Sequence, residues 1–261
     1  MKRADNLAKF FGSDGKTVIL PIDHNTAVPV AGLENPGDFI EKMNPHVDGY
    51  VVNLGVAISA ADQLSGKGIC LRTDVYKPAN DGHTDEGSYR VYGGDDAETL
   101  GAHAMMNMLY PNHSNESGIC REAAELISES IECDIPVILE SLPYGLGRPD
   151  DYTVDNINFA VRSAAELGSD VVKTAFPTGA SADDFRKVID NCFVPVIVLG
   201  GAAMGDDEAL LTMVKRSMEG GASGIAVGRN VIQHSNPPKI AAALKAIVHD
   251  DASVESALKL V

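Results

Sequence analysis

The sequence predicts an α/β protein, a single-domain (β/α)8 TIM barrel spanning residues 1–261. Three observations carry this. Short apolar runs recur eight times along the chain. They are almost continuously apolar, as strands buried on both faces of a parallel sheet must be. Segments with helical periodicity lie between them, and 261 residues is an ordinary length for eight such units. An open, doubly wound sheet is the rival arrangement of the same elements.

The predicted strands are TVILPID (17–23), GYVVNLG (49–55), GICLRTD (68–74) and AHAMMNML (102–109) in the first half. IPVILES (135–141), DVVKTAF (170–176), VPVIVLGG (194–201) and SGIAVG (223–228) follow. Between the later strands the helices are distinct. Residues 115–132 place Ile119, Ala123, Leu126 and Ile127 on one stripe. Residues 155–168 end on a glycine suited to a helix C-terminus. Residues 181–191 open on a serine that can cap, with acids in the first turn. Residues 206–221 run from acids through late bases to a pair of glycines. The early strands separate less cleanly. A Gly/Asp-rich stretch at about 75–100 reads as a long loop after the third strand, and loops of that length are usually functional.

Composition narrows the class. Hydrophobic residues make up 44%, enough for a sizeable core. A formal charge of −16 argues against nucleic acid or an anionic membrane as a partner. The opening MKRADNLAKFFGSDGKT has no long apolar segment of the secretory kind, and no run of about 18 apolar residues follows. Cys70, Cys120, Cys133 and Cys192 form no CxxC pair, so they read as reduced thiols of a cytoplasmic protein.

In a barrel the C-terminal strand ends form the active face, so polar residues late in each run are the candidates. Asp23 and His24 close the first run, Asn53 the second, Arg72 and Asp74 the third, Glu140 the fifth and Lys173 the sixth. Alternation groups Asp23 with Pro21 and Ile19, Glu140 with Ile138, and Lys173 with Val171. Lys173 is the most pointed of these. A lysine among valines is costly as an ammonium, and burial favours the neutral, nucleophilic amine. A lysine snorkelling from a strand end is the bland alternative. The last two runs carry glycines where strand becomes helix, at Gly200, Gly201 and Gly228. Such turns let backbone N–H groups and a helix N-terminus approach an anion, and Arg229 adds a charged donor. His24, His83 and His113 have no metal-ligand spacing, so neither a metal nor a cofactor is expected.

These residues resemble the class I, Schiff-base aldolases of the deoxyribose-phosphate aldolase/tagatose-bisphosphate aldolase superfamily, with most likeness to the archaeal-type class I fructose-bisphosphate aldolase branch. PIDH resembles that branch's first-strand motif and VVKTAF its imine-forming strand. VLGGAAMGDDEAL and EGGASGIAVGRNVIQHSNP resemble its phosphate-binding segments, the second closely. The likeness covers residues 17–24 and 135–260. It implies that Lys173 forms the imine, that Asp23 assists proton transfer, and that Gly200, Gly201, Gly228 and Arg229 hold phosphate. Departures leave the second acid/base open. Leu142 falls where the archaeal branch has tyrosine, and Glu140 instead resembles the strand-five glutamate of tagatose-bisphosphate aldolases. Met106 stands where those enzymes have a lysine, Asn25 replaces a glycine, and GGAAMGD lacks the usual Pro-Lys.

The expectation is therefore a metal-independent lyase of carbohydrate metabolism. Its catalytic groups would be Lys173, Asp23 and Glu140, with Glu140 preferred to Tyr144 as the second proton-transfer group. Gly200, Gly201, Gly228, Arg229, Arg72, Asn53 and His24 would bind a phosphorylated sugar or similar anionic carbonyl compound. A homo-oligomer is expected. The rival readings are acyl transfer or thiolysis of a phosphorylated diketone by the same lysine, a metal-dependent lyase or hydrolase, and a barrel that binds a phosphometabolite without catalysis.

Overall fold

The computed structural model describes residues 3–77 and 87–261. Eight parallel strands close a barrel: β1 (Thr17–Pro21), β2 (Gly49–Val52), β3 (Gly68–Arg72), β6 (Ala104–Leu109), β7 (Val137–Ser141), β8 (Val171–Thr174), β9 (Val196–Leu199) and β10 (Gly224–Ala226). They follow one another round the barrel in that order, and β10 pairs with β1. The two remaining strands, β4 (Asp74–Lys77) and β5 (Gly87–Arg90), form an antiparallel pair outside the barrel. The expected strands are present at all eight places, shorter at one or both ends. The open-sheet alternative is excluded by the β1–β10 pairing.

The predicted helices form at Glu116–Cys133, Val154–Leu167, Ala182–Asp190 and Asp207–Glu219. Their termini follow from local chemistry. Ser181 Oγ accepts from the Asp184 amide at 3.1 Å, and Asp206 Oδ1 accepts from Ala209 N at 3.0 Å. Gly168 ends the second helix at φ 115°, a conformation open chiefly to glycine.

The stretch at 75–100 differs from the expected loop. Its described parts hold β4, β5 and a helix at Gly94–Leu100. DVYK and GSYR are too short for their alternation to stand out from a Gly/Asp-rich background. Tertiary contacts fix them instead: Asp74, buried at the start of β4, accepts from Ser88 Oγ of β5 and from Met108 N of β6, the latter at 3.0 Å. Val91 N and Tyr92 N both donate to Thr73 O, which closes the base of the hairpin.

The barrel interior is one compact layer containing Ile19, Val51, Cys70, Met106, Ile138, Val171, Ile197 and Ala226. Alternation places Ile19, Ile138 and Val171 there, as expected, so Glu140 and Lys173 lie further along the same strands toward the C-terminal face, and Asp23 lies just past the end of β1. Phe10, from the N-terminal segment, plugs the other end and is 1% exposed. Gly49 and Gly68 make room for it: a Cβ on either would sit within 2.7 Å of the Phe10 ring.

Candidate active site

At the C-terminal face the strand ends build a buried charged cluster. Arg72, at the end of β3, is 1% exposed. Its Nε donates to Asp23 Oδ2 at 2.7 Å, its Nη1 to Asp74 Oδ1 at 3.3 Å, and its Nη2 to Glu140 Oε2 at 2.6 Å. Glu140 Oε2 also lies 2.9 Å from Lys173 Nζ. The β7–β8 register pairs Glu140 directly with Lys173, which explains that contact. Met106 Sδ on β6 is 4.0 Å from Nζ, so the place of the strand-four lysine faces the Lys173 amine.

The charges set each other's ionisation. Burial pushes Glu140 upward, but Lys173 and Arg72 outweigh it and hold the carboxyl below its ordinary value. Burial likewise raises Asp23, and Arg72, His24 and Lys173 together bring it below. Burial raises Asp74 overall, with Arg72 opposing. Burial takes His24 down to about 4 against the pull of Asp23, so its ring is neutral near pH 7.

Two neighbouring chambers that share lining residues open beside this cluster. The inner, of about 40 Å³, is bounded by Asp23, His24, Glu140, Lys173, Gly200, Gly201, Gly228 and Arg229, among others. The outer, of about 430 Å³, shares His24, Tyr76, Leu146, Gly200, Gly201 and Arg229 and extends past Phe176, Met204 and Tyr152. Two buried polar atoms at this wall have no hydrogen-bond partner among the described residues, His24 Nδ1 and Arg229 Nε. Glycine is required where the wall is tight. A Cβ on Gly228 would lie 2.3 Å from His24 Cε1, and one on Gly200 would lie 2.7 Å from Val227 Cγ1.

The glycine turns are joined in a way the sequence reading missed. Asn230 Nδ2 donates to Gly200 O at 2.9 Å and to Ala202 O at 3.1 Å, and its Oδ1 accepts from Met204 N at 2.8 Å. The helix expected at 206–221 forms at Asp207–Glu219, so residues 202–206 separate Gly201 from its N-terminus, which opens with Asp207 and Glu208. Those acids disfavour an anion at that end. After Gly228 the helix Arg229–Ile232 is a single short turn.

Of the residues singled out in the sequence, Lys173, Asp23, Glu140, His24, Gly200, Gly201, Gly228 and Arg229 come together on these chambers. Arg72 and Asn53 bound neither chamber. Arg72 is instead enclosed by three carboxylates, and Asn53 Nδ2 donates to Asp23 O at 2.8 Å, bracing the turn after β1. Tyr144 also bounds neither chamber, and its amide donates to Pro111 O at 2.8 Å. Leu142 is fully buried. His83 lies outside the described residues, and among those residues no three His, Cys, Asp or Glu side chains are grouped to hold a metal. Tyr76 on β4 was not singled out; its signal is only that β4 directly continues a strand ending in Arg72.

A lysine and a carboxylate in contact at the mouth of a closed parallel barrel are the equipment of a class I aldolase, a lyase that breaks carbon–carbon bonds through a lysine imine. The chain belongs to the DeoC/LacD family of aldolases, whose sequence pattern spans residues 17–234. It is 29% identical to the 2-amino-3,7-dideoxy-D-threo-hept-6-ulosonate synthase of Halobacterium salinarum, over 94% of this chain and 91% of that one. It is 35% identical to the class 1 fructose-bisphosphate aldolase of the same species, over 63% of this chain and 62% of that one. Among solved structures, an archaeal fructose-1,6-bisphosphate aldolase with its catalytic lysine bound to the carbinolamine intermediate of the substrate superposes with a TM-score of 0.85 at 26% identity, covering 95% of this chain and 99% of that one.

Proposed function

We propose that Lys173 forms a Schiff base with the ketone of a phosphorylated ketose or related sugar phosphate, and that the bond broken is the carbon–carbon bond beyond the imine's neighbouring carbon. The single observation that carries this is the contact of Lys173 Nζ with Glu140 at 2.9 Å on the floor of the inner chamber. The amine must shed a proton to attack, and Glu140 is the carboxylate placed to take it. Attack gives a carbinolamine. Loss of water gives an iminium, which draws electrons from the bond between its neighbouring carbon and the next. As that bond breaks, the departing carbon's hydroxyl loses its proton to a carboxylate and the electron pair becomes an enamine. Glu140 takes this proton, with Asp23 assisting; both are ionised at neutral pH and able to accept. Protonation of the enamine and hydrolysis return the lysine.

Arg229 and His24, with the backbone of Gly200, Gly201 and Gly228, hold the phosphate. The support is that Arg229 Nε and His24 Nδ1 are buried on the chamber wall without partners, while the glycines leave the backbone accessible beside them. An anion there satisfies the Arg229 donor, which otherwise remains costly, and His24 when Nδ1 carries the ring proton. Its grip orients the ketone toward Nζ.

The test is borohydride trapping. Incubation with dihydroxyacetone phosphate and borohydride should inactivate the enzyme and add the reduced adduct's mass to the peptide holding Lys173. The same treatment of Lys173→Met should add none. Label on a different lysine would overturn the assignment.

A further inference from the structure

The carbonyl attacked by Lys173 needs a hydrogen-bond donor, and neither carboxylate beside it is one. Tyr76 stands on β4, the strand that leaves the barrel immediately after Arg72 and Thr73. It is 4% exposed and bounds both the inner and the outer chamber. The Arg72 guanidinium carbon lies 4.9 Å from its ring centroid, which fixes the ring against the charged cluster. Two other buried tyrosines lie near the barrel mouth, and neither plays this part. The Tyr152 hydroxyl donates to Gly145 O at 2.8 Å and accepts from Gly147 N at 3.1 Å. The Tyr110 hydroxyl is buried without a partner among the described residues, but Tyr110 bounds neither chamber and so meets no ligand in them. The Tyr76 hydroxyl makes no hydrogen bond to any described residue, and the residue lines both chambers, so the hydroxyl is free to meet a ligand group there.

From this placement we infer that Tyr76 is a catalytic residue whose hydroxyl donates a hydrogen bond to the oxygen of the carbonyl that Lys173 attacks. The inference rests on the Schiff-base reading given above. The inner chamber, at about 40 Å³, has room for one small polar group, so a carbonyl within it lies against both Nζ and the Tyr76 side chain. As the lysine lone pair forms the C–N bond, the carbonyl π pair moves onto oxygen. That oxygen takes up the proton released from Nζ by way of Glu140 and becomes the carbinolamine hydroxyl. Tyr76 keeps its own proton and stabilises the oxygen while the charge builds. Burial, followed by the nearby Asp23 charge, pushes the phenol well above its ordinary value, so it remains a donor across the working range.

The experiment is rapid-quench borohydride trapping with dihydroxyacetone phosphate on the wild type, Tyr76→Phe and Tyr76→Leu. Phenylalanine keeps the ring over Arg72 and removes only the hydroxyl; leucine removes both. The expected result is adduct formation at Lys173 slowed about 10²-fold in Tyr76→Phe, the scale of losing one donor to a developing oxyanion. The melting temperature of Tyr76→Phe should be unchanged or raised, because the hydroxyl has no partner among the described residues to lose. Wild-type trapping rates in Tyr76→Phe with slow trapping only in Tyr76→Leu would overturn the proposal, leaving Tyr76 as a prop for Arg72. A marked drop in the melting temperature of Tyr76→Phe would also overturn it, by showing that the hydroxyl is bonded within the protein. Absence of any adduct at Lys173 in the wild type would instead sink the Schiff-base reading on which the proposal stands.

Discussion

Replacing Arg72 by methionine should destabilise this protein, and more at pH 8 than at pH 5. In the wild type one guanidinium meets Asp23 at 2.7 Å, Glu140 at 2.6 Å and Asp74 at 3.3 Å, and all four side chains are buried. Methionine fills much of the same volume but leaves Asp74 without its cation and Asp23 with only the weaker pull of Lys173; Glu140 keeps its contact with Lys173. Removing one partner of a buried ion pair costs about 3–5 kcal/mol, because the remaining charge is stranded. That is the expected loss at pH 8. The sign then follows from linkage. In the wild type Asp23 and Glu140 lie below their ordinary values of 3.8 and 4.5. Their contribution is complete above about pH 4.5 and disappears as pH falls through the folded values; Asp74, raised, offsets part of it. In the variant burial acts on Asp23 and Asp74 unopposed by the guanidinium, so both are raised and take up protons more readily folded than unfolded. Lowering the pH from 8 to 5 should therefore narrow the gap between variant and wild type. Urea unfolding at both pH values, read as midpoint and slope, measures it. A gap below about 1 kcal/mol, or one identical at pH 8 and pH 5, would refute the account of Arg72 as the counter-ion of the cluster.

Three further outcomes follow. Arg229→Ala should raise the Michaelis constant for a phosphorylated substrate while sparing the slow reaction of an unphosphorylated analogue, a loss of about 1.5–3 kcal/mol for one charge-assisted contact; steady-state kinetics on both substrates checks it, and equal losses would make the arginine structural. Glu140→Gln should lower turnover by roughly 10²–10⁴ while Tyr144→Phe stays near wild type; the reverse ranking would exchange the two roles. Gly228→Ala should weaken binding of inorganic phosphate, because its methyl must displace the His24 ring from 2.3 Å; unchanged affinity by calorimetry would place the anion elsewhere.

The parts of this site that lie on strands could be read from the sequence because alternation is a strict rule. Ile138 and Glu140, like Val171 and Lys173, are two residues apart, so placing one pair member in the core places the other on the barrel axis above it. What could not be read depends on meetings between distant segments. An arginine at a strand end suggests a ligand contact. Only the fold shows that residues 23, 74 and 140 surround Arg72 and take all of its directions. Phe10 belongs to a segment with no periodicity, and its only trace is the pair of glycines, Gly49 and Gly68, that opens each strand beneath it. Tyr76 was hidden for a similar reason. Four residues of alternation do not declare a strand, and the hairpin exists because Asp74 is held from β5 and β6 at once.

The charge balance at Nζ explains why Met106 and Glu140 go together. On the proposed chemistry Nζ becomes positive as the iminium forms, and Glu140 Oε2 at 2.9 Å faces that charge. Arg72 Nη2 grips the same oxygen at 2.6 Å, so the carboxylate is fixed before the reaction and need not reorganise as charge appears. Met106 Sδ, 4.0 Å from Nζ, supplies a neutral, polarisable neighbour. An ammonium at that point would repel the iminium by about 4 kcal/mol at an effective dielectric constant near 20. Glu140 is already shared between two cations and has no further charge to offset a third. A lysine on β6 would therefore require either another anion or a weaker hold of Arg72 on Glu140, and the cluster keeps its single iminium-facing carboxylate because methionine occupies that place.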